Sequence, residues 1–316
     1  MFSVRRVVLA LSALVLLLPA SANAAVTNRA ITITDPQVGK LTFDALTAGN
    51  PADAQRGRLV ILLHGFPQNA EAWRPMLEPL AAAGYYAVAP NQRGYSPRAR
   101  PASVGAYETS NMVRDTLAMA DVLGAPRFHL VSHDWGGIVG WRTAAAAPSR
   151  VLSNTVLSTS HPRAIADATL DFSTGQWARF LYTGLFASEG FDQFLLAFDG
   201  FFMVETLKGQ GLPEANARRY YQYLKDPAAM RAALNWYKAN PIPQDWVFSF
   251  GPTTVPTTFV WGQDEFALGP ESAHLTARYV AAPYPFKVVP AVGHWVPENA
   301  TQIVTDLILK QVKATS

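Results

Sequence analysis

Short runs of β-branched and apolar residues alternate along this chain with longer segments that read as helices. The short runs predict strands over residues 30–34, 40–46, 59–63, 85–89, 128–132, 152–157, 257–261 and 286–289. The longer segments predict helices over 71–83, 108–123, 136–147, 270–279 and 298–313. Strand followed by helix, repeated, predicts an α/β fold with a mostly parallel sheet of about eight strands. The rhythm breaks between His161 and Trp246, where Phe, Tyr and Leu are frequent and little reads as strand. That stretch predicts a helical insertion between the sixth and seventh strands. So placed, it would cap the strand ends, where open α/β sheets bind ligands, and would shield a site from water.

The first residues belong to a different pattern. Arg5 and Arg6 precede a largely apolar run from Val7 to Leu18, then Pro19 and the small-residue sequence Ala22-Asn23-Ala24. A bilayer span needs about 20 apolar residues, so this run reads as a secretory signal cleaved after Ala24, with export to the periplasm or the medium. Of 316 residues, removal of 24 leaves 292. The expected division is a signal peptide over 1–24, a core over 25–160 and 247–316, and a cap over 161–246. No other run approaches membrane length, so no membrane association is expected after cleavage.

Composition narrows the chemistry. The net charge is +3, and Arg5 and Arg6 leave with the signal while no acid does, so the remainder carries +1. The remaining Arg and Lys are scattered, which leaves no footprint for nucleic acid. There is no cysteine, which excludes disulfides, a thiol nucleophile and a thiolate metal site. The histidines show no metal-ligand spacing and no glycine-rich phosphate loop is present, so neither metal nor cofactor is expected.

The candidate chemistry centres on Val131-Ser132-His133-Asp134-Trp135-Gly136-Gly137. A strand leads in, a helix leads out, and Ser132 and Gly136 supply the small positions of a nucleophile elbow, with Asp134 at the tip. Read alone, the stretch also fits, less well, an ordinary turn with a capping aspartate. His64-Gly65-Phe66-Pro67 follows the third strand, some 70 residues earlier. In an elbow architecture that loop lends one oxyanion N–H and the residue after the nucleophile another, here Phe66 and Trp135. The base is sought among six histidines: His64, His129, His133, His161, His274 and His294. His129 and His133 share the elbow strand, His64 the oxyanion loop, His161 the start of the cap, and His274 a surface helix. His294, after the last strand, is the candidate base. Asp264, after the seventh strand, is the candidate orienting acid, with Glu265 the adjacent rival.

With "HGFPQ", "NQRGYS", "SHDWGG", "WGQD" and "GHW" in this order, the chain resembles the α/β-hydrolase superfamily, and within it the epoxide hydrolases and the related haloalkane dehalogenases. The resemblance spans nearly all of the chain after the signal. It implies a nucleophilic Asp134 served by His294 and Asp264. Two departures stand out: Ser132 replaces a common glycine, and Asn91 replaces an acid before Gln-Arg-Gly, which leaves the partner of Arg93 open. Arg93 is expected to be structural.

A carboxylate nucleophile suits displacement at saturated carbon, giving an alkyl ester that water then cleaves. The leaving group is then epoxide oxygen or halide. Epoxide oxygen needs a proton, and tyrosine, with a reference pKa of about 10, can keep one to give. The stretches "ALNWYKAN" and "RFLYTGLFASEG" are similar to those bearing ring-opening tyrosines in soluble epoxide hydrolases, which implies Tyr237 and Tyr182. Tyr220, Tyr221 and Tyr223 are rivals on a stretch that reads as an amphipathic helix. Many haloalkane dehalogenases carry asparagine after HG, where this chain has Phe66, so the expectation is a cofactor-independent epoxide hydrolase acting on a small-molecule epoxide and water. The alternatives are haloalkane dehalogenation at the same Asp/His/Asp site and, lower, a non-catalytic binding protein on the same fold. Neither the particular epoxide nor the oligomeric state is readable from the sequence.

Overall fold

The computed structural model describes residues 25–241 and 250–316. The signal segment 1–24 and the expected end of the cap at Trp246 lie outside the described residues.

Eight strands form one sheet in the order β1-β2-β4-β3-β5-β6-β7-β8. They are β1 (Thr27–Asp35), β2 (Gly39–Ala48), β3 (Leu59–Leu63), β4 (Tyr86–Pro90), β5 (Phe128–His133), β6 (Val151–Leu157), β7 (Thr257–Gly262) and β8 (Phe286–Val289). The β1/β2 and β2/β4 pairs are antiparallel, and every other pair is parallel. Each predicted strand overlaps an observed one. The five strands from β3 to β7 are buried along their whole length, as a parallel sheet covered on both faces requires. Their pleat divides the core. Leu59, Ile61 and Leu63 face one layer with Phe128 and Leu130, while Val60 and Leu62 face the other with Val131 and Val260.

The first layer is closed by α2 (Thr109–Val122) and α3 (Trp135–Ala146), the second by α1 (Arg74–Ala82) and α12 (Thr301–Ala314). The predicted helix over 298–313 is broken in two. A single turn, α11 (Val296–Asn299), precedes α12, and Ala300 between them leaves helical geometry at φ −132°. Likewise, α10 (Pro270–Leu275) gives way to a 3₁₀ turn at Thr276–Tyr279.

Between β6 and β7 the chain folds into helices α4 (Pro162–Leu170), α5 (Gln176–Arg179), α6 (Leu181–Ala187), α7 (Phe191–Gly209), α8 (Glu214–Leu224) and α9 (Pro227–Ala239). This is the expected helical cap. Helix α7 is interrupted at Ala197–Gly200, where Phe198 and Asp199 take φ of 51° and 53°. Among the described residues no helix is long and apolar enough to cross a membrane.

The partner of Arg93 is now on view. Its guanidinium is buried and donates to Asp115 through Nε (2.8 Å) and Nη2 (2.6 Å), and to Asp35 through Nη2 (2.7 Å). Asn91 serves elsewhere, accepting the Ala70 N–H at 2.8 Å. The Arg93 carbonyl accepts the indole N–H of Trp236 on α9 at 2.8 Å, so the buried ion cluster also anchors the cap. Removing one partner of a buried pair strands a charge and costs about 3–5 kcal/mol. Asp115→Ala is therefore expected to lower unfolding free energy by roughly 3 kcal/mol; a urea midpoint within error of wild type would count against this role.

Candidate active site

Asp134 sits between β5 and α3 with φ 53° and ψ −125°, a backbone that L-residues rarely adopt. Such a conformation costs about 1–3 kcal/mol and persists only where its surroundings hold it. Three hydrogen bonds hold it here: the Asp134 carbonyl accepts the N–H groups of Gly137 (2.8 Å) and Ile138 (3.2 Å) and the Thr159 hydroxyl (2.9 Å). The tight turn also needs glycine behind it. A Cβ on Gly136 would lie 2.3 Å from the Leu63 carbonyl oxygen, and one on Gly65 would lie 2.2 Å from Asp134 Oδ1. The sharp turn directs the carboxylate to the loop after β3, where Oδ1 accepts the Phe66 N–H at 2.9 Å, and the adjacent Trp135 N–H helps hold the carboxyl pKa down. Of the two residues expected to form an oxyanion hole, Phe66 bonds this carboxylate and Trp135 stands next to it in the chain.

His294, in the loop after β8, turns Nε2 toward Asp134 Oδ2 at 3.5 Å. Its Nδ1 lies 2.8 Å and 3.0 Å from the two oxygens of Glu265. The acid expected at Asp264 is corrected to Glu265. Beyond β7 the Asp264 N–H bonds to the Val292 carbonyl, and its side chain is left at the surface. The next residue points inward, is buried, and is held by the Ala267 N–H on Oε1 at 2.8 Å. Two adjacent acids on one turn face opposite ways, and the sequence offers no sign of which is inside.

Burial by itself pushes the His294 imidazole down, but the Glu265 and Asp134 carboxylates outweigh it and raise its pKa from 6.5 to about 10. Burial likewise pushes Asp134 up, and the His294 interaction reverses this to hold the carboxyl below the ordinary range. Both carboxylates thus favour the protonated form of the imidazole between them.

Tyr182 on α6 and Tyr237 on α9 meet above Asp134, their ring centroids 6.4 Å apart. Burial raises both phenols well beyond their ordinary value, and the Asp134 charge adds to it. The rival tyrosines are engaged elsewhere: Tyr220 donates to Glu298, Tyr221 to Asp199 and Tyr223 to the Tyr95 carbonyl.

Two cavities meet at this point. The larger, about 360 Å³, is lined by Asp134, His294, Tyr182 and Tyr237 and by an apolar wall that includes Phe66, Phe186, Leu195, Met203 and Trp295. Leu185 and Phe194, 57% and 47% exposed, mark its mouth. The smaller, about 40 Å³, shares Asp134, Tyr182 and Tyr237 and adds Trp135, Thr159 and Leu268. Arginine and lysine are missing from the described lining of both. The arrangement offers a carboxylate nucleophile, a base oriented by an acid, two N–H donors and two neutral phenols.

Two outcomes follow. His294 is protonated more readily folded than unfolded, so its contribution to stability is full below about pH 6.5 and is lost as pH rises through about 10. The stability margin of wild type over His294→Gln is expected to shrink across that window in urea titrations. Glu265→Gln is expected to reduce activity at least a hundredfold, roughly the scale of lost imidazolium support, while Asp264→Asn stays within about twofold. Equal losses in both variants would refute the inward assignment.

Comparison with known proteins agrees with this geometry. Residues 58–301 match the model of the alpha/beta hydrolase fold. The chain is 28% identical to the AB hydrolase superfamily protein YfhM of Bacillus subtilis, over 83% of this chain and 92% of that one. It is also 28% identical to Epoxide hydrolase A of Mycobacterium tuberculosis, over 80% and 89%. Among solved structures, Epoxide Hydrolase A from Mycobacterium thermoresistibile superposes with a TM-score of 0.79 at 24% identity, covering 92% of this chain and 99% of that one, and so speaks for the fold. The chain is a hydrolase of the α/β-hydrolase family, in the group that contains the epoxide hydrolases.

Proposed function

We propose that the chain opens an uncharged, largely apolar epoxide to a vicinal diol through an ester on Asp134. The observation that carries this reading is that Asp134, Tyr182 and Tyr237 line both cavities, so a carboxylate and two tyrosines border one space. Relatives named as epoxide hydrolases support it.

In the first step Asp134 Oδ2 attacks a ring carbon, the C–O bond of the ring breaks, and Tyr182 or Tyr237 gives its proton to the departing oxygen. Oδ1, held by Phe66, becomes the ester carbonyl oxygen. Esterification removes the Asp134 charge, and with it part of what holds the proton on His294. That proton can pass to the tyrosinate, leaving His294 neutral. In the second step His294 takes a proton from water, whose oxygen attacks Asp134 Cγ, and charge gathers on Oδ1 against the Phe66 and Trp135 N–H groups. The bond from Cγ to Oδ2 breaks, the alkoxide takes the proton from water by way of His294, and the diol leaves. Water oxygen stays in Asp134. The cycle closes when the second proton of that water, left on the Asp134 carboxyl, passes to His294, which restores the ionised Asp134 beside a protonated imidazole.

Halide displacement fits less well. Phe66 has no side-chain donor, and Trp135 stands edge-on to Tyr237, with centroids 5.1 Å apart and planes at 90°, on the side of the smaller cavity. Arg5, Arg6 and the apolar run to Leu18 support export of the mature chain, expected to begin at Ala25 when the periplasmic or secreted protein is sequenced from its N-terminus.

The test is a paired assay scoring diol from styrene oxide and aliphatic epoxides and halide from bromo- and chloroalkanes. Diol without halide is expected. His294→Gln should retain the ester, seen as added mass on the intact protein, and Tyr237→Phe should lower kcat/KM about a hundredfold. In ¹⁸O-water a single turnover should label Asp134 and leave the diol unlabelled. Halide without diol would overturn the epoxide reading.

A further inference from the structure

A chain of buried polar groups runs beneath the oxyanion loop from the cap to the base. Tyr220 on α8 donates to Glu298 Oε1 at 2.6 Å, and the same oxygen accepts from Gln68 Nε2 at 2.8 Å. Gln68 Oε1 in turn accepts the Gly65 N–H at 3.1 Å. His133 packs in the remaining gap, with Nδ1 2.7 Å from Gln68 Oε1 and Nε2 2.8 Å from the His294 carbonyl oxygen; burial pushes its pKa down to about 3, so the ring is neutral and its single N–H donates to one of the two. Beside Glu298, Asn299 donates to the Gly211 carbonyl of the cap at 2.9 Å. Glu298 Oε2 is buried with no hydrogen-bond partner among the described residues, so the carboxyl is turned inward without filling its bonding capacity.

We propose that Glu298 is a positioning residue that ties the seating of the cap, through Tyr220, to the oxyanion loop and to His294. This rests on the two-step ester reading above. Both core ends of the chain serve the second step. Gly65 carries the peptide whose next N–H, that of Phe66, faces the developing charge on Asp134, and His294 is the base that activates water. Ring opening draws instead on Tyr182 and Tyr237, whose segments are fastened to the core apart from α8, by Gln176 and Arg179 just before α6 and by Trp236 on α9. A loosened latch therefore slows hydrolysis of the ester and spares its formation. An amide at 298 keeps the oxygen that accepts both Tyr220 and Gln68, so Glu298→Gln preserves the latch.

The test compares Glu298→Leu, Glu298→Gln and Tyr220→Phe with wild type. In a two-step reaction kcat/KM holds only the steps through ring opening, so slow hydrolysis lowers kcat and KM together. For Glu298→Leu the expected result is a roughly tenfold fall in both, an unchanged kcat/KM, and ester visible by intact mass during turnover. Tyr220→Phe should move the same way by a smaller factor, and Glu298→Gln should recover most of the loss. A kcat/KM that falls in step with kcat without ester, or a Glu298→Gln as impaired as Glu298→Leu, would overturn the proposal.

A second readout is independent of turnover. Amide hydrogen exchange in Glu298→Leu, or in Tyr220→Phe should the first fail to fold, is expected to quicken together over residues 64–69 and 214–224. Changes confined to residues 296–300 would sink the latch. Should wild type yield neither diol nor ester, the proposed function fails, and exchange alone decides whether the coupling exists.

Discussion

The site depends on a backbone held where an L-residue does not rest. Asp134 at φ 53° needs β5 locked between β3 and β6, α3 starting at once, and glycine at 65 and 136 so that nothing fills the space behind the turn. Its strain, about 1–3 kcal/mol, is spread over the ladder of a fully buried strand and the first turn of a helix. What the strain secures is direction. The carboxylate points at the Phe66 N–H and at His294, and it does so without a flexible side chain having to search.

Around that fixed point the charges are interdependent. His294 and Glu265 are buried and Asp134 is partly so, and a proton on His294 is favoured there because it answers both carboxylates. Glu265 holds His294 by Nδ1 and is itself held by the Ala267 N–H. Neutralising Asp134 changes the balance at His294 without moving an atom. A site of this kind can change a group's protonation by forming a bond next to it, which suits a reaction whose two halves ask opposite things of one histidine.

The cap is part of this machinery rather than a cover laid over it. Arg179 donates to the carbonyls of Glu265 and Phe266 at 3.1 Å and 2.8 Å, and Gln176 exchanges two hydrogen bonds with the same loop, at Ala267 and Gly269. Trp236 fastens α9 to Arg93. The short helix α5 that leads into α6 and Tyr182 thus also braces the loop that carries Glu265.

Periodicity and local chemistry determined much of this protein. Continuous apolar runs such as Leu59–Leu63 can be satisfied only by strands covered on both faces, and small residues around Asp134 mark a tight strand-to-helix turn with Asp134 at its tip. These are constraints that act over a few residues, so they are visible in a few residues. The tertiary structure decided what local pattern leaves equal. Asp264 and Glu265 are the same chemistry one position apart, and the backbone bond from Asp264 to Val292 settles which enters the core. The link of Arg93 to Asp35 and Asp115, and of Tyr220 through Glu298 and Gln68 to the oxyanion loop, joins residues from distant parts of the chain. No spacing encodes such contacts, because they exist only once the sheet has set its strand order and the cap has closed over it.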